Sequence, residues 1–417
     1  MANPQATGIF YGWWIVVAAF LNLFFAVGII FYGFPVFYPA LVDALGFTRA
    51  QVTQGFLLGF LVVGLPCGYL AGVVIDRLGA RWVTVAGVLC IGASLLLMGR
   101  MTKLWEYEAL CVLEVMGYVL AGPIANQVLV ARWFSKRRGR AMGYAYLGLG
   151  LGGVAAPKLV NYLIHTYGWR SSLQIVGLLI MAVLIPVGIF ITRSTPEEKG
   201  LLPDGVEGAG AGGNAAGSAA GASRSVRAAM ATANFWLLLL GSTLAIGAIG
   251  GLIQNFILFL KDQGYTAAVA STFMSGLLAA SLCGRVIVGY VADRFLKKNT
   301  MAVFYFIVGA SLILLSVTHE PRAVWTFAAL FGFAMGADYM LVPLVTAESF
   351  GTASLGKLLA LIISGYSLGQ WGAPWIAGKI FDARHSYQLA WQILAVAGML
   401  GAVAIYAIRV RAPRASA

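Results

Sequence analysis

The chain has 417 residues, of which 60% are hydrophobic and only 10% are charged, and its mean hydropathy is +0.86. Such a chain would expose far too much apolar surface to water, so a water-soluble protein is excluded and an integral membrane protein is predicted. The formal net charge of +13 is typical of proteins that bind nucleic acid. Here, however, the basic residues fall in short loops and offer no basic face, which excludes that class.

Twelve runs of mostly apolar residues are long enough to cross roughly 30 Å of hydrocarbon, for which about 20 helical residues suffice. In chain order they lie at 11–40, 48–75, 81–100, 105–131, 140–164, 170–192, 232–260, 266–292, 300–317, 323–347, 355–381 and 387–410. These runs predict an all-α membrane protein with twelve transmembrane helices in the lipid bilayer.

Basic residues indicate the orientation, because Lys and Arg are retained on the cytoplasmic side. If both termini are cytoplasmic, 18 of the 28 basic residues lie in inner loops or the tail and 7 lie in outer loops. The chain is therefore predicted to be a multi-pass protein of the cell membrane (plasma or inner), with both termini in the cytoplasm. We expect the functional unit to be a monomer.

The segment between the sixth and seventh runs is rich in Gly, Ala and Ser and has no hydrophobic periodicity. Such a segment cannot bury a core and is typical of a flexible linker. It predicts a six-helix half over 1–199, a cytoplasmic linker over 200–229 and a second six-helix half over 230–417.

The two halves share residues at a fixed offset of 217 positions. The pairs are Gly59 and Gly276, Gly72 and Gly289, Asp76 and Asp293, Arg77 and Arg294, Arg81 and Lys298, Gly139 and Gly356, Gly148 and Gly365, Gly152 and Gly369, and Ala156-Pro157 and Ala373-Pro374. The pattern indicates an internal duplication. Paired six-helix repeats are typical of secondary transporters, whose substrate site lies near the midplane between the halves.

Signals for a metal, a cofactor or catalysis are missing from the sequence. The four cysteines are scattered in apolar runs without a CxxC motif, and the three histidines fall at the predicted outer ends. The sequence has no GxxxxGK[ST] phosphate loop and no Ser/His/Asp grouping. We therefore expect no metal, no cofactor and no enzymatic activity.

A repeated loop motif gives the first family resemblance. Gly allows close helix approach, Asp can cap or pair across helix ends, and Arg anchors at the headgroups, so the motif suits a gate and not a substrate site. Its residues are Gly72, Asp76, Arg77, Gly79 and Arg81, with Gly289, Asp293 and Arg294 in the second copy. The motif resembles the loop signature of the major facilitator superfamily, which implies the major facilitator fold. The second copy departs from the signature, with Leu296 where the later Gly would be.

A narrower resemblance comes from three segments. They are Tyr11-Gly12-Trp13 before the first run, the stretch RWFSKRRG at 132–139, and Arg285-x-x-x-Gly289-x-x-x-Asp293-Arg294 in the eighth run. Together they resemble the monocarboxylate transporter group and its neighbour, the oxalate/formate antiporter. The resemblance implies that Arg285 binds the substrate.

Arg285 lies in an otherwise uncharged run from Thr266 to Ala292. A guanidinium within a membrane span is costly unless it meets a polar cavity or an anion, so it marks a site. The oxalate transporter resembles this chain but needs a second cation where this sequence has Tyr366. One central cation favours one carboxylate, because a dianion would leave a buried charge. We predict transport of a small monocarboxylate such as lactate or pyruvate, with anion exchange of the oxalate/formate type as the alternative.

Other polar residues are candidates for the same cavity. Tyr339 aligns with an aromatic residue of the family's binding cage, and Tyr32 does so more loosely; a phenol can donate to a carboxylate while its ring contacts an apolar tail. Depth alone adds Asn126, Tyr146, Gln254 and Asn255. For all of these residues, helix packing or an interhelical hydrogen bond is the alternative interpretation.

Proton coupling needs a carboxyl group deep in the membrane, and Asp338 and Glu114 are the candidates. Eukaryotic members of the resembling group keep an Asp one turn before the helix-8 arginine, where this chain has Ser281. We predict that Asp338 replaces it as the partner of Arg285 and takes up a proton when substrate binds. A permanent structural ion pair is the alternative.

Overall fold

The computed structural model describes residues 10–64, 66, 74, 78–134, 137–205, 226–317, 320–336, 338–350 and 355–409. Over these residues the chain is helical, and no strand occurs among them. The helices are numbered α1 to α12 in chain order.

The first half contains α1 to α6. Helix α1 runs through Gly12–Asn22, a π-helical stretch Leu23–Ile29, Ile30–Gly33, a 3-10 turn Phe34–Val36 and Tyr38–Leu45. The next helices are α2 at Arg49–Gly59, extended by Phe60–Gly64, α3 at Ala80–Met98, and α4 in two pieces, Leu104–Ala121 and Pro123–Trp133. Helices α5 and α6 share the stretch Arg138–Pro186, extended by Val187–Ile191.

The second half contains α7 to α12. Their bounds are α7 Ala233–Asp262, α8 Ala267–Arg294, α9 Lys297–Val317, α10 in two pieces, Pro321–Met335 and Asp338–Phe350, α11 Leu355–Arg384, and α12 Gln388–Tyr406. At the two ends of the predicted linker, Pro203–Gly205 forms a 3-10 turn and Val226–Met230 a short helix. Residues 206–225 lie outside the described part of the chain.

Eight helices of the described chain are long and apolar enough to span a membrane. One of them, Gly139–Ile191, has 53 residues and would measure about 80 Å at 1.5 Å per residue, far more than one bilayer. Gly168 has φ 75° and ψ 159° inside this stretch, a conformation that glycine tolerates and that turns the chain. The stretch is therefore two spans, α5 and α6, divided where the sequence predicts a boundary.

Two predicted spans differ from the expectation of continuous helices. Helix α4 is interrupted at Gly122, which is extended at φ −79° and ψ −154°, because the following Pro123 disfavours helical geometry at the residue before it. Helix α10 departs from regular helix at Gly336, which forms a turn after Met335. Interrupted helices at corresponding positions of two repeats are typical of the substrate region of transporters.

Glycines of the internal repeat allow the same close helix contact in both halves. A Cβ on Gly152 of α5 would lie 2.5 Å from the Phe24 carbonyl oxygen of α1, and one on Gly369 of α11 would lie 2.3 Å from the Thr243 carbonyl oxygen of α7. Neither approach leaves room for a side chain. The duplication therefore preserves the close contact between the first and fifth helices of each half.

The predicted gate motif is only partly within the described residues. Gly79 has φ +80°, which explains the need for glycine. The Arg81 backbone N–H donates to the Ser194 hydroxyl at 3.2 Å, and its guanidinium donates to the Ile189 carbonyl at 2.5 Å. Arg81 thus ties α3 to the end of α6. Gly72, Asp76, Arg77 and the Asp293 side chain lie outside what the structure describes, whereas Gly289 lies within α8 and Arg294 ends it.

Candidate substrate-binding site

Arg285 lies on α8 where this helix meets α5 of the other half. Its side chain is half-buried. A Cβ placed on Gly150 of α5 would lie 3.6 Å from the Arg285 Nη1 atom and 2.5 Å from Leu282 Cδ1. The absence of a side chain at Gly150 thus allows α8 to pack closely on α5. The guanidinium of Arg285 lies at the boundary between the two halves.

Three tyrosines of the first half gather around this position. The Tyr146 hydroxyl on α5 is within electrostatic range of Arg285, and the Tyr118 hydroxyl on α4 is within range of both Tyr32 and Tyr146. The Tyr32 ring lies over Gly153 of α5, where a Cβ would come within 2.8 Å of the ring. The structure therefore brings together Arg285, Tyr146 and Tyr32 of the predicted site residues.

Two residues of this group are absent from the sequence-based prediction. Tyr118 lies four residues before the α4 break at Gly122, and Gln127 follows the break and donates from its amide to the Tyr146 hydroxyl. The Gly-Pro pair at 122–123 is the signal that could have pointed to both, because helix interruptions collect polar groups beside a transporter's substrate path.

The break in α10 faces the same part of α8. A Cβ on Gly336 would lie 2.3 Å from the Ser281 carbonyl oxygen and 2.8 Å from the Arg285 backbone nitrogen. The second piece of α10 begins at Asp338, two residues later. The side chains of Asp338 and Tyr339 lie outside what the structure describes.

Asn126 and Asn255 use their amides within the helix bundle. Asn126 donates to the carbonyls of Ala121 and Gly122 at 3.0 and 2.8 Å, and Asn22 donates to Ala121 at 2.8 Å, so the carbonyls exposed by the α4 break are satisfied. Asn255 donates to Gly251 at 3.0 Å and to Pro374 at 3.2 Å. Both amides therefore form hydrogen bonds within the helix bundle. This agrees with the alternative interpretation of these residues, in which they serve helix packing.

Tyr366 and Glu114 occupy different environments. Tyr366 is half-buried on α11 and packs against the hydrophobic core. Glu114 on α4 is completely buried, and neither carboxyl oxygen has a hydrogen-bond partner in the described part of the chain. Lys158, a cation well inside the predicted fifth span, is exposed on α5.

The end of the bundle opposite the termini, formed by α1, α2, α7 and α11, is closed by contacts between the halves; we call it the closed end. Arg49 pairs with Asp262 at 2.7 Å, and Lys261 pairs with Asp43 at 2.9 Å. Beneath these ion pairs, the Trp371 ring of α11 stacks on Phe56 of α2 and meets Phe31 of α1 edge-on, with ring centres 5.6 and 5.5 Å apart. The basic-residue count predicts that this end faces outward.

The profile of the Major Facilitator Superfamily matches residues 19–351 and 280–417. The chain belongs to the major facilitator superfamily. The predicted all-α fold with twelve transmembrane helices in two six-helix repeats is thereby confirmed. As a member of this superfamily, the chain is a multi-pass membrane transporter and not an enzyme.

Relatives within the superfamily include monocarboxylate transporters. The chain is 25% identical to monocarboxylate transporter 12 of Homo sapiens over 347 residues, covering 79% of this chain and 67% of that protein. It is 22% identical over 395 residues to the MFS-type transporter YcxA of Bacillus subtilis (strain 168), covering 90% of each chain. The predicted resemblance to the monocarboxylate transporter group is confirmed at this level of identity.

Solved structures share the fold. A bacterial homologue of the human lysosomal transporter Spinster, in an inward-facing and unoccupied conformation, superposes with a TM-score of 0.69 at 17% identity, covering 98% of this chain and 95% of that one. A mutant of the nucleoside transporter NupG superposes with a TM-score of 0.75 at 15% identity, covering 96% of this chain and 100% of that one. At these identities the likeness concerns the fold alone.

Proposed function

We propose that this transporter carries a small monocarboxylate, such as lactate or pyruvate, together with one proton by alternating access. Division of the chain into 1–199, 200–229 and 230–417 is part of the proposal, because the two halves must rock about the site. The proposal also includes location in the cell membrane with both termini in the cytoplasm, and function as a monomer.

The observation that supports this proposal most is the location of the Arg285 guanidinium at the α5–α8 boundary. A charge there interacts with both halves, so an anion bound to it can alter their relative position. The Tyr146 hydroxyl lies within electrostatic range of the guanidinium and is a suitable second donor for a carboxylate. Aromatic rings such as Tyr32 offer a surface for the apolar part of a short acid.

Charge balance favours a monoanion. One carboxylate neutralises one guanidinium, whereas a dianion would leave a charge in a low-dielectric site, at a cost of several kcal/mol. The similarity to monocarboxylate transporter 12 supports the same class of substrate.

Asp338 is the proposed proton acceptor. In the empty transporter its carboxylate would pair with Arg285, and the incoming substrate would displace it. The freed carboxylate then takes up a proton, so that the loaded site is neutral when the halves move. The close approach of Gly336 to the Arg285 backbone brings α10 next to this turn of α8, and the piece of α10 that begins at Asp338 follows; this proximity supports the proposal.

The test is uptake of radiolabelled L-lactate into proteoliposomes, with an inward proton gradient imposed and then collapsed. Accumulation should follow the gradient in the wild type and vanish in Arg285→Ala. Lys158→Ala is the matched control, because it removes another cation of a spanning helix whose side chain is exposed, and it should transport normally. Size-exclusion profiles establish that all three proteins are intact.

The same uptake assay distinguishes proton symport from anion exchange. Uptake that requires preloaded internal anion and ignores the proton gradient would replace symport by exchange of the oxalate/formate type. Asp338→Asn should retain exchange and lose proton-driven accumulation. Failure to transport any of a panel of one- to four-carbon monocarboxylates would reject the proposal.

A further inference from the structure

Glu114 is a buried acid in the first half for which the mechanism above has no role. It lies ten residues beyond the start of α4 at Leu104, about 15 Å along the helix at 1.5 Å per residue. The side chain is completely inaccessible, and both carboxyl oxygens are without hydrogen-bond partners among the described residues. An ionised carboxylate in such surroundings is strongly disfavoured, so the buried form carries its proton.

Uncharged groups form the helix contacts around Glu114 in the described part of the chain. Helix α2 packs on α4 through Gly55 and Gly59, and α3 packs on it through Gly87 and Ile91 against Gly117. Of the described residues, the titratable groups within electrostatic range are Tyr38 of α1 and, on α4 itself, Cys111 and Tyr107. The charged group beyond them, Glu108, acts on Cys111 and accepts a hydrogen bond from Gln54 at 3.0 Å.

Tyr38 connects this neighbourhood to the other half of the protein. Its hydroxyl donates to the Gln254 Oε1 atom of α7 at 2.9 Å. The Gln254 amide donates in turn to the Phe31 carbonyl of α1 at 3.5 Å. Tyr38 and Gln254 are 1% and 4% exposed, so water does not compete for this bond while the halves are together.

A phenol has one O–H to donate. While Glu114 is protonated, Tyr38 can donate to Gln254 and hold α1 against α7. When Glu114 ionises, its carboxylate competes for the same O–H, and a charge-assisted bond is stronger than a neutral one. Loss of the proton therefore weakens the link between the halves.

We propose that Glu114 is a proton-binding site and that its occupancy controls opening of the closed end through Tyr38 and Gln254. Because the closed state buries the protonated acid and the open state lets it ionise, raising the pH favours the open state. The inference rests on the proposed function only in naming the proton as the coupled ion. Closure then requires a proton from the side to which this end opens, as symport demands.

Asp43, Asp262 and Asp382 lie at the closed end, where they accept hydrogen bonds from basic or backbone partners. Glu114 lies within the first half and has no such partner among the described residues. A single proton also changes the open-to-closed ratio by at most tenfold per pH unit.

The experiment measures the distance between spin labels attached through non-natural amino acids at positions 44 and 263, both exposed at the closed end. Protein without substrate is titrated from pH 5 to pH 9, so the result does not depend on the identity of the carboxylate. The wild type should open as the pH rises. Glu114→Gln, which is always neutral, should stay closed throughout, and Tyr38→Phe should open more readily with little pH dependence.

Glu108→Gln is the matched control, because it removes a half-buried carboxyl group of the same helix whose partner Gln54 is in the same half, and the distance should change with pH as in the wild type. Glu114→Gln with an unchanged titration would overturn the proposal, as would a wild type that opens only on acidification. A Tyr38→Phe variant with the wild-type titration would remove the tyrosine link. Failure of lactate uptake in proteoliposomes would leave all of these results standing.

Discussion

Asp382 of α11 caps the first turn of α2 in the other half by accepting hydrogen bonds from the backbone N–H of Arg49 at 2.9 Å and of Ala50 at 3.0 Å. The next N–H of the turn, that of Gln51, donates to the Thr48 hydroxyl at 3.3 Å within its own half. A helix leaves its first N–H groups without intrahelical partners. Here, two of them are satisfied only while the halves are together.

Removal of this cap should favour opening more than removal of a surface ion pair. A helix cap contributes about 0.5–2 kcal/mol, whereas an exposed pair contributes at most about 1 kcal/mol. The Asp43–Lys261 pair has side chains 67% and 35% exposed. We expect Asp382→Ala to raise the open-to-closed ratio by roughly 2- to 30-fold, and Asp43→Ala to raise it less.

The distance between spin labels at positions 44 and 263 reports both variants at neutral pH. Equal shifts for the two substitutions would show that Asp382 acts as a surface charge and not as a helix cap. Asp382→Asn provides a further comparison, because its side-chain oxygen still accepts from one N–H and should restore part of the closed population.

The Tyr146 hydroxyl should strengthen substrate binding. It accepts from Gln127, which leaves its own O–H available to a carboxylate on Arg285. A hydrogen bond to a charged group contributes about 1.5–3 kcal/mol, so Tyr146→Phe should raise the KM for lactate by roughly 10- to 150-fold. Tyr144→Phe is the control, because that side chain is exposed on the same helix. Concentration-dependent uptake rates that are equal for both variants would contradict this role.

The sequence predicts the fold well because its signals are local and repeated. Apolar runs determine the spans, and glycines such as Gly152 and Gly369 serve the same close helix contact. Arg285 can also be identified from the sequence alone, because a charged residue within an apolar span is costly and therefore indicates a functional site, whereas a charged residue in a loop does not.

Other features depend on tertiary structure and could not be predicted. No proline follows the turn at Gly336 in α10 directly, so the sequence does not predict this turn. The close approach of Gly336 to α8 depends on how the helices pack. The same holds for the Tyr38–Gln254 bond, which joins residues 216 positions apart. Depth in the membrane identifies Asn255 as polar and buried but does not indicate that its amide serves the α11 backbone.

Gly150 should be a position where added volume blocks transport without unfolding the protein. A Cβ there would come within 2.5 Å of Leu282 Cδ1, the end of a side chain that can move for one methyl group. Gly150→Ala should therefore be mild, whereas Gly150→Val should separate α5 from α8 and lower the maximal rate by about tenfold or more, in line with the cost of overpacking.

Gly143→Val is the matched control for this position. It lies two helical turns earlier on α5, and nothing lies within 4 Å of its Cβ position. Uptake rates and thermal unfolding are measured for both valine variants. Wild-type rates in Gly150→Val would place the α5–α8 contact outside the transport cycle, and loss of stability in that variant alone would indicate a purely structural role.

Tyr366 should determine whether the site accepts one negative charge or two. The resemblance to the oxalate transporter implies a second cation at this place on α11 for a dianion, and the half-buried tyrosine provides none. Oxalate should therefore inhibit lactate uptake weakly in the wild type. Tyr366→Lys should lower the inhibition constant of oxalate by tenfold or more, because the second carboxylate then meets a cation and its burial is offset. The same variant should bind lactate less well, since a monoanion leaves the lysine uncompensated. Tyr366→Phe removes the hydroxyl without adding charge and should leave oxalate inhibition weak; equal inhibition of both variants by oxalate would mean that this position does not face the bound anion.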